Sequence, residues 1–138
     1  MVIKKKYHFY AGHRNKSAGE KCGRMHGHTY EVVVALEFPE FDGDVAMLFG
    51  DIDNVCEPIV KSFDHYFLLH EDDELCDAFE LMGEPFIRLP FETSAENMAR
   101  HIYSLIDNKL QSLLGSSPLS AVELAETKSS NVIYAPNL

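Results

Sequence analysis

Two long stretches in which polar and apolar residues alternate constrain the fold of this chain most strongly. The odd positions of the first stretch hold Ile3, Tyr7, Phe9, Ala11 and His13. The second stretch runs from about His26 to Phe38. A period of two is typical of strands that bury one face. Because the polar, glycine-containing segment "RNKSAGEKCGR" joins the stretches, we predict that they form an antiparallel hairpin.

Two helices are predicted downstream of these strands. The first begins at Asp51 or Asp53 and ends near Phe63. The second is the clearer of the two: it opens with the capping box Thr93-x-x-Glu96, repeats apolar residues at helical spacing and stops at Gly115.

The remaining strand signals complete an α+β pattern. "LSAVELAET" and "NVIYAP", separated by "KSS", predict a second hairpin. "EPFIRLP" predicts a short edge strand or an extended segment, because prolines are excluded from central strands. We therefore predict one domain over residues 1–138, a four-stranded antiparallel sheet with two helices on one face.

Three histidines fall at one end of the first predicted hairpin. Side chains at i and i+2 of a strand share a face, so His26 and His28 project together. The end of the first strand lies beside the start of the second, which places His13 next to them. Three neutral imidazoles are a ligand set of catalytic zinc that leaves a fourth position for water or substrate. The sequence therefore predicts a Zn²⁺ site at His13, His26 and His28.

Cys22 lies shortly before the last two of these histidines, in a loop with the basic neighbours Lys21 and Arg24. A basic setting favours the thiolate, which acts as a nucleophile or a general base. As a fourth zinc ligand, the same sulfur would close the site and make the metal structural. An inert thiol is the third interpretation, and the spacing is compatible with all three. Cys56 and Cys76 have no such neighbours and are interpreted as inert.

Further titratable residues are candidates for the same site. Asp64 and His65 are adjacent in the sequence, an arrangement that is also common in structural turns. Glu126 shares the parity of Val122 and Leu124, so its carboxylate extends the row that faces the core. A buried carboxylate requires a hydrogen-bonded partner, which an amide-like or guanidinium-like edge of a ligand would supply. A strand-end glutamate that reaches solvent is the alternative.

Charge and cysteine content exclude several classes of partner. A formal net charge of −10 leaves no domain-wide basic surface for nucleic acid. Seven of the 12 Lys and Arg residues nevertheless lie in the first 24 positions, and this local basic patch suits a small anionic ligand. The odd number of cysteines, with no apolar leader and no run long enough to span a bilayer, predicts a cytoplasmic protein without membrane association.

Five short motifs follow one another along nearly the whole chain. They are "AGH" at 11–13, "CGRMHGHTY" at 22–30, "FDH" at 63–65, "TSAEN" at 93–97 and "AET" at 125–127. Together they resemble the 6-pyruvoyl-tetrahydropterin synthase family, and in particular its bacterial branch of 6-carboxy-tetrahydropterin synthases from queuosine precursor synthesis. The first two motifs are highly specific at this spacing, and the others occur in the family's order.

The resemblance implies a zinc-dependent lyase that acts on 7,8-dihydroneopterin triphosphate and has the tunnelling fold. In that fold, four-stranded, two-helix units assemble into barrels with active sites between subunits, so a homo-oligomer, most simply a hexamer, is expected. The three histidines would hold zinc against the side-chain hydroxyls of the substrate.

The resemblance also implies roles for the other candidate residues. Cys22 would remove a side-chain proton, with Asp64 and His65 as a relay. Glu126 would anchor the pterin through its 2-amino and N3 edge. Further substrate contacts are expected from Thr93, Ser94 and Arg24.

Departures from the family pattern bear on these expectations. The family has proline before the threonine of its "PTAEN" segment, whereas Glu92 and Thr93 precede Ser94 here. The acidic stretch from Glu71 to Glu84 is longer than expected and is either a surface loop or a cover over the site. The short Cys22-x-x-x-His26 spacing resembles the carboxy branch. That likeness implies 6-carboxy-tetrahydropterin as the product, with acetaldehyde and triphosphate released.

Three other functions compete with this one. A 6-pyruvoyl-tetrahydropterin synthase would only eliminate triphosphate. A zinc hydrolase would use the metal to activate water, and Cys22 would be incidental. A non-enzymatic zinc or pterin-binding domain would use Cys22 as its fourth ligand.

Overall fold

One sheet of six strands organises the protein, for which a computed structural model describes residues 1–138. The strands are β1 (Val2–His13), β2 (His26–Glu37), β3 (Tyr66–His70), β4 (Phe86–Leu89), β5 (Leu119–Thr127) and β6 (Ser130–Tyr134). Their order in the sheet is β4-β3-β1-β2-β5-β6. The helices are α1 (Phe49–Lys61), α2 (Leu75–Met82) and α3 (Ala95–Leu114), and a short 3-10 turn occupies Lys16–Ala18. The predicted α+β class is confirmed.

The β1–β2 hairpin has the predicted register. Its pairs run without interruption from Val2 opposite Glu37 to His13 opposite His26. The predicted alternation is also confirmed, because Tyr7, Phe9, Ala11 and His13 are buried whereas the residues between them are mostly exposed. The buried side chains of this face pack against α1 and α3 in the main core.

The sheet is larger than predicted and is not purely antiparallel. β3 pairs with β1 in parallel, and β4 pairs with β3 in parallel. The predicted edge strand in "EPFIRLP" is therefore confirmed as β4. The sequence "YFLLH" of β3 was not predicted as a strand, because five mostly apolar residues carry no alternation that separates a strand from a helix or loop.

The predicted number and placement of helices are corrected by α2. This helix lies within the acidic stretch Glu71 to Glu84, which is therefore not a simple surface loop. It packs in a second, small core of Leu69, Cys76 and Phe79, whereas Leu68 belongs to the main core. Because neighbouring residues of a strand point to opposite faces, α2 covers the face opposite to α1 and α3.

The start of α3 differs by one residue from the predicted capping box. Ser94 is the N-cap, and its hydroxyl accepts a hydrogen bond of 3.3 Å from the Asn97 N–H. Thr93 is instead fully buried beneath the helix start. The predicted stop at Gly115 is confirmed, since this residue has a left-handed φ of 77°, which glycine adopts without a steric penalty.

Gly12 allows a close approach between β1 and β3. A Cβ atom on Gly12 would lie 2.5 Å from a ring carbon of Phe67, its partner on β3. The ring of Phe67 therefore rests directly on the backbone of β1, next to His13.

Both margins of the sheet are open in this chain. β4 and β6 each pair with one strand, so one side of each carries backbone N–H and C=O groups without a strand partner. None of the helices is long and apolar enough to cross a membrane.

Candidate metal and active site

The end of the β1–β2 hairpin brings the three predicted histidines together. Their candidate ligand nitrogens all lie within 4.8 Å of one another. The Nε2 atoms of His13 and His28 are 3.1 Å apart. Two nitrogens bound to one tetrahedral zinc ion would be about 3.3 Å apart, so a small adjustment of the rings accommodates the ion.

Hydrogen bonds select which ring nitrogens face the site. Nδ1 of His13 lies 2.8 Å from the carbonyl of Thr93, and Nδ1 of His26 lies 2.7 Å from the carbonyl of Arg24. A carbonyl only accepts, so both Nδ1 atoms carry the proton and both Nε2 atoms keep a lone pair. Such bonds are the usual support of metal-binding histidines.

Burial favours the neutral form of two of the imidazoles, those of His13 and His28, and a metal ligand must be neutral. Burial lowers the pKa of His13 to about 4, and the neighbouring histidines act in the same direction. Burial also lowers the pKa of His28. The donor set and its protonation therefore fit a zinc ion.

Cys22 and Ser94 lie in the same cavity as His13, His26 and Glu126, with a volume of about 270 Å³. Cys22 is an exposed free thiol at the cavity wall. It is not part of the group of mutually close metal-ligand atoms, which contains the three imidazoles alone. This geometry leaves the sulfur free to act on a molecule in the cavity.

Glu126 faces the histidines from β5, as its parity predicts. Its carboxylate oxygens lie 3.8 Å from Nε2 of His13 and 3.8 Å from Nε2 of His28. Burial raises the pKa of Glu126, His26 lowers it and Glu96 raises it further. A half-buried carboxylate with no donor of its own is suited to a ligand that donates two hydrogen bonds.

Asp64 and His65 form a rigid pair at a different place. Asp64 accepts a hydrogen bond of 2.8 Å from the Tyr10 N–H, and this bond is the main cause of its lowered pKa. Its second oxygen lies 2.8 Å from Nδ1 of His65. His65 has a left-handed φ of 64°, which is strained for a residue with a side chain, and that side chain is 77% exposed.

The cavity beside His65 lies mainly on the opposite face of the sheet. Its wall includes Tyr10, Gly12 and Thr29, whose parity is opposite to that of His13, and it also reaches Ala11 and His28. Phe79 of α2 also lines it, so the acidic stretch covers this cavity and not the one that contains Cys22. Within one chain, the structure therefore does not bring Asp64 and His65 together with Cys22.

Two predicted substrate contacts have other surroundings. Thr93 is 0% exposed, and its hydroxyl donates to the Arg14 carbonyl at 3.3 Å, so it supports the residues around His13. The Arg24 side chain is 70% exposed and pairs with Glu20. Within one chain neither residue lines the cavity, and direct substrate contact by Thr93 and Arg24 stays a prediction.

The predicted basic patch is largely neutralised by neighbouring carboxylates. Of the basic residues near the N-terminus, Lys21 has no carboxylate partner, and the others pair with acids: Lys4, Lys5, Lys6, Arg14, Lys16 and Arg24. The Arg14–Asp73 pair is the most buried of these and ties the chain after His13 to the start of α2. The patch thus stabilises the fold more than it offers free cations.

Three contributors to the site were missed in the sequence. The Thr93 carbonyl supports His13 across 80 residues of sequence, and no local pattern reports such a contact. Ser130 and Asn131 line the cavity from the start of β6. Both could have been predicted as cavity residues from their position across the predicted hairpin turn from Glu126.

Comparison with known proteins identifies the fold and the family. The chain is 31% identical over 138 residues to the 6-carboxy-5,6,7,8-tetrahydropterin synthase of Helicobacter pylori, covering 93% of this chain and 69% of that protein. It is 34% identical over 106 residues to the same-named protein of Rickettsia felis, covering 74% and 77%.

Solved structures agree on the fold. An uncharacterised protein from Wolinella succinogenes has a TM-score of 0.81 at 24% identity, covering 99% of this chain and 98% of that one. The 6-pyruvoyl tetrahydropterin synthase of Caenorhabditis elegans has a TM-score of 0.70 at 19% identity, covering 98% and 94%. The model of the family described as 6-pyruvoyl tetrahydropterin synthase matches residues 2–137. This chain therefore belongs to the 6-pyruvoyl tetrahydropterin synthase family.

Proposed function

We propose that this protein is a zinc-dependent lyase that converts 7,8-dihydroneopterin triphosphate to 6-carboxy-5,6,7,8-tetrahydropterin, with release of acetaldehyde and triphosphate. The observation that carries the proposal is a cavity lined by His13, His26, Cys22 and Glu126, beside which His28 completes the group of three imidazoles. The names of the relatives from Helicobacter pylori and Rickettsia felis support the carboxy product.

The Nε2 atoms of His13, His26 and His28 would hold the ion. Zinc bound there would act as a Lewis acid on a hydroxyl oxygen of the substrate side chain. The backbone carbonyls of Thr93 and Arg24 fix the orientation of two of the rings before the ion binds.

Cys22 and Glu126 would have separate roles in the cavity, the first in proton transfer and the second in pterin binding. The Cys22 thiolate would take a proton from the substrate side chain, acting as a general base. Glu126 would accept hydrogen bonds from the 2-amino and N3 edge of the pterin. Ser94 stands at the wall of the same cavity and is available for a further contact.

Asp64 and His65 would act in the site of a neighbouring copy. Asp64 holds the proton on Nδ1 of His65, so Nε2 is free to exchange a proton with Cys22 of another subunit. The open margins at β4 and β6 give a second copy a place to pair. The active assembly is therefore proposed to be a homo-oligomer, with a hexamer as the expected state.

The reaction would belong to the synthesis of queuosine and related 7-deazaguanines, in the cytoplasm. The resemblance to the carboxy branch supports this pathway, and the odd number of cysteines, which fits a reducing compartment, supports the cytoplasm.

The direct test is to incubate the zinc-loaded protein with 7,8-dihydroneopterin triphosphate and to identify products by mass spectrometry. We expect 6-carboxy-tetrahydropterin and acetaldehyde in equal amounts. Stable 6-pyruvoyl-tetrahydropterin without acetaldehyde would assign the chain to the pyruvoyl reaction instead. Full activity in Cys22→Ser would favour a hydrolase in which the metal activates water.

A further inference from the structure

Tyr30 carries the one buried side-chain polar atom in this chain without a hydrogen-bond partner. Its side chain is 0% exposed, and its ring stacks on Phe9 with centroids 4.6 Å apart. Other buried tyrosine hydroxyls are satisfied: Tyr103 donates to the Leu119 carbonyl at 3.1 Å, and Tyr7 donates to Asp53 at 2.7 Å.

The ring that carries this hydroxyl lies next to two of the proposed metal-binding histidines and across from Glu126. The Tyr30 ring centroid is 5.4 Å from that of His28 and 6.0 Å from that of His13. β2 pairs Glu31 with Ala125, so one step further in the same register Tyr30 lies across from Glu126. The Glu126 charge adds to burial in raising the pKa of Tyr30, which agrees with this placement.

Folding alone does not account for this hydroxyl. A buried donor without a partner loses its hydrogen bonds to water and gains none in return, so phenylalanine would pack at least as well here. A polar atom that destabilises the fold beside a reactive cavity is expected to find its partner when the site is loaded.

Glu126 is the carboxylate on the facing strand whose charge acts on the Tyr30 hydroxyl. Its oxygens lie 3.8 Å from two Nε2 atoms that would be used by a metal ion, so they make no hydrogen bond to either ring. A carboxylate has about four acceptor positions. It can therefore take the proton of a buried hydroxyl and still face a ligand that donates two hydrogen bonds.

We propose that Tyr30 is a positioning residue whose hydroxyl donates a hydrogen bond to the Glu126 carboxylate in the zinc-loaded site and thereby orients it toward the pterin. This inference rests on the function proposed above. It concerns the neutral hydroxyl and requires no change in the protonation of Tyr30.

The test compares Tyr30→Phe with Tyr103→Phe, a matched removal of one buried hydroxyl. Tyr30→Phe should leave the melting temperature of the protein unchanged or raise it. It should weaken the binding of 7,8-dihydroneopterin to the zinc-loaded protein about tenfold or more, as expected for a lost hydrogen bond to a charged group. Tyr103→Phe should lower the melting temperature by several degrees and leave that affinity unchanged. Equal affinity in wild type and Tyr30→Phe would overturn the proposal.

A double-mutant cycle identifies the partner. If Tyr30 acts through Glu126, Tyr30→Phe should have no further effect on pterin affinity in a Glu126→Ala background. An undiminished effect there would mean that Tyr30 acts on another group, and the proposal would fail.

A crystal structure of the zinc-loaded protein separates this inference from the proposed function. If wild type binds no pterin, the proposed function fails, yet the Tyr30 oxygen should still lie within hydrogen-bonding distance of the Glu126 carboxylate. A Tyr30 oxygen without a partner, or bonded elsewhere, in that structure overturns the inference whatever the ligand is.

Discussion

The site on the helix-covered face contains more of the groups that the proposed reaction needs than the Asp64–His65 pair on the other face does. The first contains three histidines that could hold a metal ion, with a thiol and a carboxylate at the same cavity. The second consists of one hydrogen-bonded pair whose imidazole is largely exposed. Both are held rigidly, the first by backbone carbonyls on the histidines and the second by the Tyr10 backbone.

The comparison shows that the residues proposed for metal binding and those proposed for proton transfer are positioned by different parts of the fold. Binding groups that must meet at one ion are placed by a continuous hairpin register. The proposed proton-transfer pair lies outside that cavity within one chain, which is why the proposal requires another copy to supply it. The strained backbone of an exposed His65 supports such a role.

The largest expected effect is a difference in zinc content between variants of the two regions. Wild type should carry about one zinc per chain, and His26→Ala should carry almost none, because two imidazoles hold zinc far more weakly than three. His65→Ala should retain the full amount. Metal analysis after dialysis measures this, and circular dichroism verifies the fold. Equal zinc in His26→Ala and wild type would contradict the metal site.

The next prediction tests whether the two regions meet between chains. Cys22→Ala and His65→Ala should each bind zinc but lose turnover about a hundredfold or more, as expected for the loss of a proton-transfer group. Co-assembled, the two variants should recover about a quarter of wild-type activity, because that fraction of shared sites receives both intact residues. Two variants that remain inactive together would show that the pair does not serve the cavity of another copy.

Local patterns predicted the first region better than the second. Alternation in β1 and β2 predicted the shared face of His13, His26 and His28, since strand parity depends on neighbouring residues alone. The surroundings of Asp64 and His65 depend on parallel pairing of β3 with β1, which is set by contacts distant in sequence. The short α2, and the burial of Thr93 in place of a capping role, were hidden for the same reason.

The two regions should also titrate in different pH ranges. In the metal-free protein the pKa of His13 is lowered from 6.5 to about 4, so the unfolded chain binds more protons between these values and stability rises with pH across that range. The effect is on the order of 3 kcal/mol at most. The pKa of Asp64 is lowered from 3.8, so its contribution is lost only below that value.

Urea unfolding of the metal-free protein at several pH values measures this dependence. His13→Asn should reduce the slope between pH 4 and 6.5, and the slope that remains belongs to the other groups with lowered pKa, His28 and His101. Glu126 faces His13 and has a raised pKa, so its own contribution falls as pH rises, and the comparison of wild type with His13→Asn cancels it. An unchanged slope in His13→Asn would rule out His13 as the source.

The smallest effect concerns the support of the metal site. Thr93→Val keeps the carbonyl that accepts from His13 but removes the hydroxyl that donates to the Arg14 carbonyl. We expect a loss of about 1 kcal/mol in the free energy of unfolding. Thr29→Val, at an exposed position of β2, is the control and should change stability little. A neutral Thr93→Val would show that the carbonyl alone fixes the ring.

The contact of Phe67 with Gly12 sets the spacing between these two regions. Any side chain at position 12 would force the Phe67 ring of β3 to shift, since its first carbon would overlap that ring. The residues before β3 include Asp64 and His65, whose bonds to Tyr10 depend on that spacing. One methyl group added next to His13 would thus disturb the packing that supports the Asp64–His65 pair. The absence of a side chain at Gly12 therefore helps to set the distance between His13 and the Asp64–His65 pair.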